Sequence, residues 1–138
     1  MKFSHLKKNK VLMVDISEKK LTNRTARARL KINFSEKSFK KILNSNSPKG
    51  EIYNIARSAG ISAAKKTSEL IPLCHNLPIS YIDIDFKIDK TNLSIEVLSE
   101  VKTQFSTGVE MEALTACSVA GLVIYDMCKS LDKKIVMT

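Results

Sequence analysis

Three short stretches carry residue types at spacings suited to chemistry. In LIPLCHNLP, residues 70–78, a thiol and an imidazole stand side by side as Cys74 and His75, between Pro72 and Pro78. In GVEMEA, residues 108–113, Glu110 and Glu112 flank Met111. In YDMCK, residues 125–129, Asp126 precedes Lys129 by three positions. An acid beside a lysine is read as a general acid/base unit, on the expectation that coupling to a neighbour can shift both toward working pH. An imidazole held between prolines has two readings: a packed histidine satisfied by a backbone carbonyl, or a ligand-facing group aimed by a rigid, extended connection. Cys74, Cys117 and Cys128 are odd in number and scattered. That pattern fits neither a disulfide framework nor a zinc site and points to a reducing, cytoplasmic compartment.

The elements that must position these groups are legible as periodicities. TARARLKIN (25–33) alternates, with Ala26, Ala28, Leu30 and Ile32 on one face and Arg27, Arg29 and Lys31 on the other, a half-buried strand. Ser35 reads as the N-cap of a short helix with Phe39, Ile42 and Leu43 as its buried stripe. NSNSPKG (44–50) reads as a loop in which Ser47 caps and Pro48 opens a longer helix to about Glu69, with Ile52, Ile55, Ala56, Ala59 and Ala63 at helical spacing. YIDIDFKID is a second alternating strand, Asp89 to Asn92 a turn, and Leu93, Ile95 and Val97 continue into a third strand, giving a hairpin. A last helix is expected from about Thr107–Gly108 to Leu131, then a strand stub within DKKIVMT. Strand, helix, helix, strand, strand, helix, strand is an α+β order. It suggests a ferredoxin-like sandwich, an antiparallel sheet with helices on one face. At 138 residues, a single catalytic domain is expected, with residues 1–12 as a flexible basic start.

Charge is distributed unevenly. The chain carries net +9, yet residues 1–41 hold 13 Lys and Arg against Asp15, Glu18 and Glu36, and the remainder is near neutral. A basic segment on a neutral body suits an anionic partner such as a nucleotide or phosphate. A non-enzymatic nucleotide- or RNA-binding module using this basic third is the alternative. No Trp and few Phe and Tyr are present, and none interleaves with the basic cluster, which argues against an RNA stacking platform. The start, MKFSHLKKNKVLMV, lacks the apolar run of a signal peptide. The longest uncharged run, Ala113 to Tyr125, is shorter than the roughly 20 residues of a membrane span.

The final helix is apolar through its middle and charged at its ends. The helix dipole suits Glu110, Glu112 and Lys129 but opposes Asp126 near the C-terminus, a cost that Lys129 offsets by pairing with it. At 100° per residue Glu112 and Asp126 fall within about 40° of each other, yet about 21 Å apart along the axis. A compact nucleotide core cannot touch both from one chain, whereas an antiparallel partner helix could bring the two ends together, and the small residues between 113 and 121 permit close approach.

LIPLCHNLP with the strand after it, and KTQFSTGVEMEALTACSVAGLVIYDMCK, resemble the molybdenum cofactor biosynthesis protein C family, the cyclic pyranopterin monophosphate synthases. The match runs from MVDIS (13–17) to the last residue. The resemblance implies a ferredoxin-like subunit assembled through dimers into a hexamer, with active sites between subunits. No cofactor and no metal ligand are assigned, and neither a membrane nor a nucleic-acid partner is expected. It implies rearrangement of a 3′,8-cyclised dihydro-GTP into cyclic pyranopterin monophosphate with release of diphosphate. Carried over by position, Leu73, Cys74, His75, Met111 and Glu112 bind substrate. Asp126 is the implied acid/base with Lys129 beside it, and Arg24, Lys49 and Lys65 serve the triphosphate and the proton network. Cys74 is expected to contribute shape or backbone, not a nucleophile. The family continues past IVMT with a further strand and a lysine- and glycine-rich tail that supplies another catalytic lysine.

Overall fold

A computed structural model describes residues 2–44 and 48–138, the side chains of residues 44, 48 and 49 excepted. Its elements in chain order are β1 (Leu6–Lys7), β2 (Lys10–Val11), β3 (Thr22–Asn33), α1 (Glu36–Asn44), α2 (Pro48–Lys65), α3 (Thr67–Leu70), β4 (Tyr81–Asp89), β5 (Ser94–Phe105), α4 (Glu110–Cys128) and β6 (Val136–Met137). The main sheet is antiparallel in the order β4-β5-β3-β6, the ferredoxin-like arrangement expected. Register follows the apolar alternation: Ala26 lies opposite Val101, which lies opposite Ile82. One sheet face therefore presents a continuous apolar row. It meets α2 and α4, so that Ile32, Ile84, Ile95 and Val97 pack with Ala56, Ala116, Ala120 and Ile124 in one buried cluster. Each fully buried Ile or Val there contributes roughly 1.5–3 kcal/mol. The other face carries Arg27 paired with Glu100 and Arg29 with Glu96.

Differences from the sequence reading have local causes. Residues 6–11 form a hairpin that no periodicity foretold, since its strands are two residues long; Lys8 and Asn9 turn it at φ 50° and 62°, the left-handed pair of a tight hairpin turn. Pro48 opens α2 as expected and Gly50 is helical instead of looped, while Ser47, the expected cap, lies outside the described residues. Ser35 precedes α1, but its hydroxyl meets the Ser38 hydroxyl, and the Asp132 carboxylate accepts from the Ser35 N–H at 2.8 Å and from Ser38 Oγ. An acid far along the chain thus does the capping. Ile55, expected in the buried stripe, is 48 % exposed. The buried face of α2 is narrower because α2 lies close on α4: a Cβ at Gly60 would stand 2.7 Å from the Ala116 carbonyl oxygen. The helix cost of Gly60 is thus set against a close approach that needs it.

Helix α4 begins at Glu110, later than expected, and ends at Cys128. By length and composition it is apolar enough to cross a membrane, unlike its uncharged run taken alone. Here it is the central helix of the sandwich, with Ala113, Ala116, Ala120 and Ile124 at most 1 % exposed.

Candidate active site

Beside the first turn of α4 lies a cleft of about 280 Å³. Three segments build it. The connector after α3 supplies Leu73, Cys74, His75 and Leu77; the turn into α4 supplies Thr107, Gly108, Glu110, Met111 and Glu112; an N-terminal segment supplies Ser4, His5, Val14, Ile16 and Lys19. The five positions to which the resemblance assigns substrate binding, Leu73, Cys74, His75, Met111 and Glu112, all line this one cleft. An almost wholly apolar cleft adjoins it, between Val11 and the connector's Ile71 and Pro72.

The connector is ordered by a turn in which the Cys74 N–H donates to the Ile71 carbonyl at 3.1 Å. His75 Nε2 lies 2.7 Å from the Val14 carbonyl. A carbonyl can only accept, so Nε2 is the donor, and in a neutral ring this tautomer leaves the lone pair on Nδ1. Both sequence readings of this histidine therefore meet in one side chain. It is satisfied by a backbone carbonyl, and it still forms part of the cleft wall.

Glu112 is 4 % exposed. Burial pushes its carboxyl above the usual carboxylate range; its own backbone N–H pulls the other way, and the neighbouring Glu110 charge adds to the rise. The α4 N-cap position, Val109, offers no side-chain acceptor. The Cys74 thiol is also pushed up, first by burial and then by Glu112 and Glu110. A thiol so placed stays protonated and is a poor nucleophile, in keeping with a contribution of shape. The Glu110 side chain folds back over Gly108, where a Cβ would collide with its carboxylate.

Of the remaining expected residues, those whose side chains are described lie outside the cleft lining. Asp126 and Lys129 form an ion pair of 2.8 Å at the opposite end of α4, with side chains 66 % and 60 % exposed. The Asp126 hydrogen bond, reinforced by its charge, raises the Lys129 pKa. The lysine thus moves away from neutrality on this chain, contrary to the sequence expectation, because the Asp126 carboxylate stabilises the ammonium by more than the slight desolvation opposes it. Arg24 donates from Nε to the Phe105 carbonyl at 3.2 Å and from Nη2 to the Ser106 carbonyl at 3.4 Å. Two of its five N–H groups therefore hold the turn that leads into Thr107 and Gly108. Lys65 is exposed at the end of α2, in a shallow depression with Ser80 and Tyr81. Lys49 falls in the first turn of α2, and its side chain lies outside the described residues. Among the described residues, no three His, Cys, Asp or Glu side chains converge as a metal site.

Sequence reasoning missed the N-terminal wall. Ser4, His5, Val14, Ile16 and Lys19 meet the cleft through contacts across more than 50 residues of chain, which no local pattern reports. The one available signal was the excess positive charge of residues 1–41.

The chain is similar to known proteins over most of its length. The chain is 46% identical to the cyclic pyranopterin monophosphate synthase of Bordetella parapertussis over 135 residues, covering 97% of this chain and 84% of that protein. It is 48% identical to that of Heliobacterium modesticaldum over 126 residues, 91% of this chain and 79% of the relative. With the Desulfatibacillum aliphaticivorans synthase it shares 50% identity over 132 residues, 95% of this chain and 83% of the relative. With residues 13–138 matching the family as a whole, the chain belongs to the MoaC family.

Proposed function

We propose that the protein is a cyclic pyranopterin monophosphate synthase: a lyase that converts (8S)-3′,8-cyclo-7,8-dihydroguanosine 5′-triphosphate into cyclic pyranopterin monophosphate and diphosphate, in molybdenum cofactor biosynthesis. The observation that carries this reading is the gathering of Leu73, Cys74, His75, Met111 and Glu112 around one cleft in a chain of this family.

The reaction asks for two kinds of help. Opening the imidazole ring and closing a pyrazine needs protons moved at several atoms. Forming a cyclic phosphate while diphosphate departs needs cations near the developing charge. In the cleft, Glu112 and the Nδ1 lone pair of His75 are acceptors for the N–H groups of the guanine-derived ring, and both can take part in proton transfer. Asp126 and Lys129 are the acid/base pair, and Arg24, Lys49 and Lys65 belong to the phosphate-facing and supporting set. Arg24 acts mainly by fixing the 105–108 turn, given its two backbone bonds.

The distance along α4 leads to an assembled site. Asp126 is about 21 Å from Glu112 on a 1.5 Å rise. Leu114 and Leu122 are 48 % and 53 % exposed on the helix between them, an apolar stripe suited to a second copy. A dimer built on this helix, and a hexamer built from dimers, would place the Asp126–Lys129 pair of one copy at the cleft of another. The expected setting is the cytoplasm, and the named relatives are bacterial.

The test is incubation with the cyclised GTP intermediate, with diphosphate release and pterin formation as readouts. Turnover is expected. Salt-resistant RNA affinity without turnover would instead favour a binding module based on the basic segment.

A further inference from the structure

The N-terminal wall of the cleft is built as a strap, and it carries a cation. Two histidines tie it down. His5 Nδ1 lies 3.2 Å from the Leu12 carbonyl, while the Leu12 N–H donates to the His5 carbonyl at 3.0 Å, closing the hairpin. Two residues on, the Val14 carbonyl accepts from His75 of the connector, so the strap is pinned to the floor of the cleft. Beyond that point two local turns fix the backbone. Asp15 Oδ1 accepts from the Ser17 N–H at 3.0 Å and the Ser17 hydroxyl at 2.7 Å, and the Lys19 N–H donates to the Ile16 carbonyl at 3.1 Å. The side chains of Leu12, Val14 and Ile16 are half-buried, whereas Met13, Asp15 and Ser17 face outward.

Among the described residues, Lys19 is the one lysine or arginine lining this cleft. The cleft also contains Glu110 and Glu112, yet Lys19 makes no ion pair with either of them or with any other described carboxylate. Lys19 is exposed, and its ammonium is left without a carboxylate partner among the described residues of its own chain. A cation in that position has one evident use when the ligand is a nucleoside triphosphate derivative. The ligand's base-like core is uncharged and its phosphates carry all of its negative charge. The acid-rich α4 side of the cleft repels phosphate, and the strap side attracts it.

We propose that Lys19, held by the strap, is a phosphate-binding residue of the site and sets the direction in which the substrate lies: ring toward Glu112, phosphates toward the strap. This rests on the reading of the protein as a synthase acting on a GTP-derived substrate. Lys19 adds to the assigned cations and differs from Arg24, Lys65 and Lys129 in lining the cleft on the same chain as His75 and Glu112.

The experiment compares Lys19→Gln, Lys19→Arg and Lys7→Gln. Lys7 is an exposed hairpin lysine outside the cleft lining, so its variant has the net charge of Lys19→Gln without the contact. Loss of one charge-assisted phosphate contact corresponds to about a tenfold rise in KM with kcat within about threefold. Lys19→Arg should recover most of that loss, and Lys7→Gln should match wild type. Calorimetric titration with GTP and with inorganic diphosphate gives a second readout: affinity for both should fall in Lys19→Gln, and its salt dependence should flatten. The proposal is overturned if Lys19→Gln and Lys7→Gln bind and turn over alike, or if Lys19→Gln changes kcat alone. Failure of the synthase reading looks different: wild type would not turn over the cyclised intermediate, whatever the titrations give.

Discussion

Glu112 and Asp126 lie within about 40° of each other around the same helix, yet one is 4 % exposed and the other's side chain 66 %. The helix does not cause this difference. The first turn of α4 is covered by the connector and the N-terminal strap of the same chain, so Glu112 loses water and its carboxyl titrates high. At the last turn Ile124 and Cys128 are buried in the core, but nothing described on this chain covers the side that carries Asp126, which keeps its solvent and its lysine. One end of the helix is a finished wall, and the other is half of one. A surface ion pair of this kind contributes little to stability, commonly under about 1 kcal/mol, so the placement of Asp126 against the helix dipole is better explained by chemistry than by folding.

The largest effect should come at the unfinished end. Asp126→Asn should lower kcat by about a hundredfold or more, the scale of a lost general acid/base, with Tm and assembly size unchanged. Near-normal turnover in the purified variant would remove Asp126 from the mechanism.

At the finished end, stability and activity should move in opposite directions. The Glu112 carboxyl titrates above its ordinary value of 4.5 because burial penalises the charge. The folded state therefore binds the proton more tightly than the unfolded state. Stability is full below the ordinary value and is lost as pH rises through the folded value. Glu112→Gln, which removes the charge, should melt higher than wild type at pH 7 and together with it near pH 4, while losing activity. Thermal melts at the two pH values check this, and a variant less stable than wild type at pH 7 would show that the charge is compensated in the fold.

The smallest effect is expected at Cys74. Its thiol is held protonated, so Cys74→Ala should keep kcat within about threefold of wild type, the change of a lost contact and not of a lost nucleophile. A burst of covalent intermediate in wild type that disappears in this variant would contradict the assignment.

Much of the scaffold was legible in the sequence. The strands 22–33, 81–89 and 94–105 announce themselves by alternation because each has one face on the helices, and that alternation also sets their register. The cleft's connector and α4 residues were legible through their motifs. What escaped was everything decided across long distances. Two-residue strands carry no period, so the 6–11 hairpin was invisible. The same limit hid the bond from His75 to Val14 and the seat of Lys19. Ile55 was misplaced because the tight α2–α4 approach at Gly60, not helical spacing alone, decides how wide the buried face of α2 is. The exposure of Asp126 against the burial of Glu112 could not be read from angles, since it depends on what lies over each end.

The central claim is that the site is completed by a second copy, and complementation tests it most directly. Glu112→Ala and Asp126→Asn, each inactive alone, are mixed under conditions in which mass measurement confirms that subunits exchange. If each site takes Glu112 from one chain and Asp126 from the other, half of randomly paired dimers are mixed and each holds one intact site, so diphosphate release should recover to about a quarter of the wild-type rate. A mixture that stays inactive after confirmed exchange would contradict the shared site.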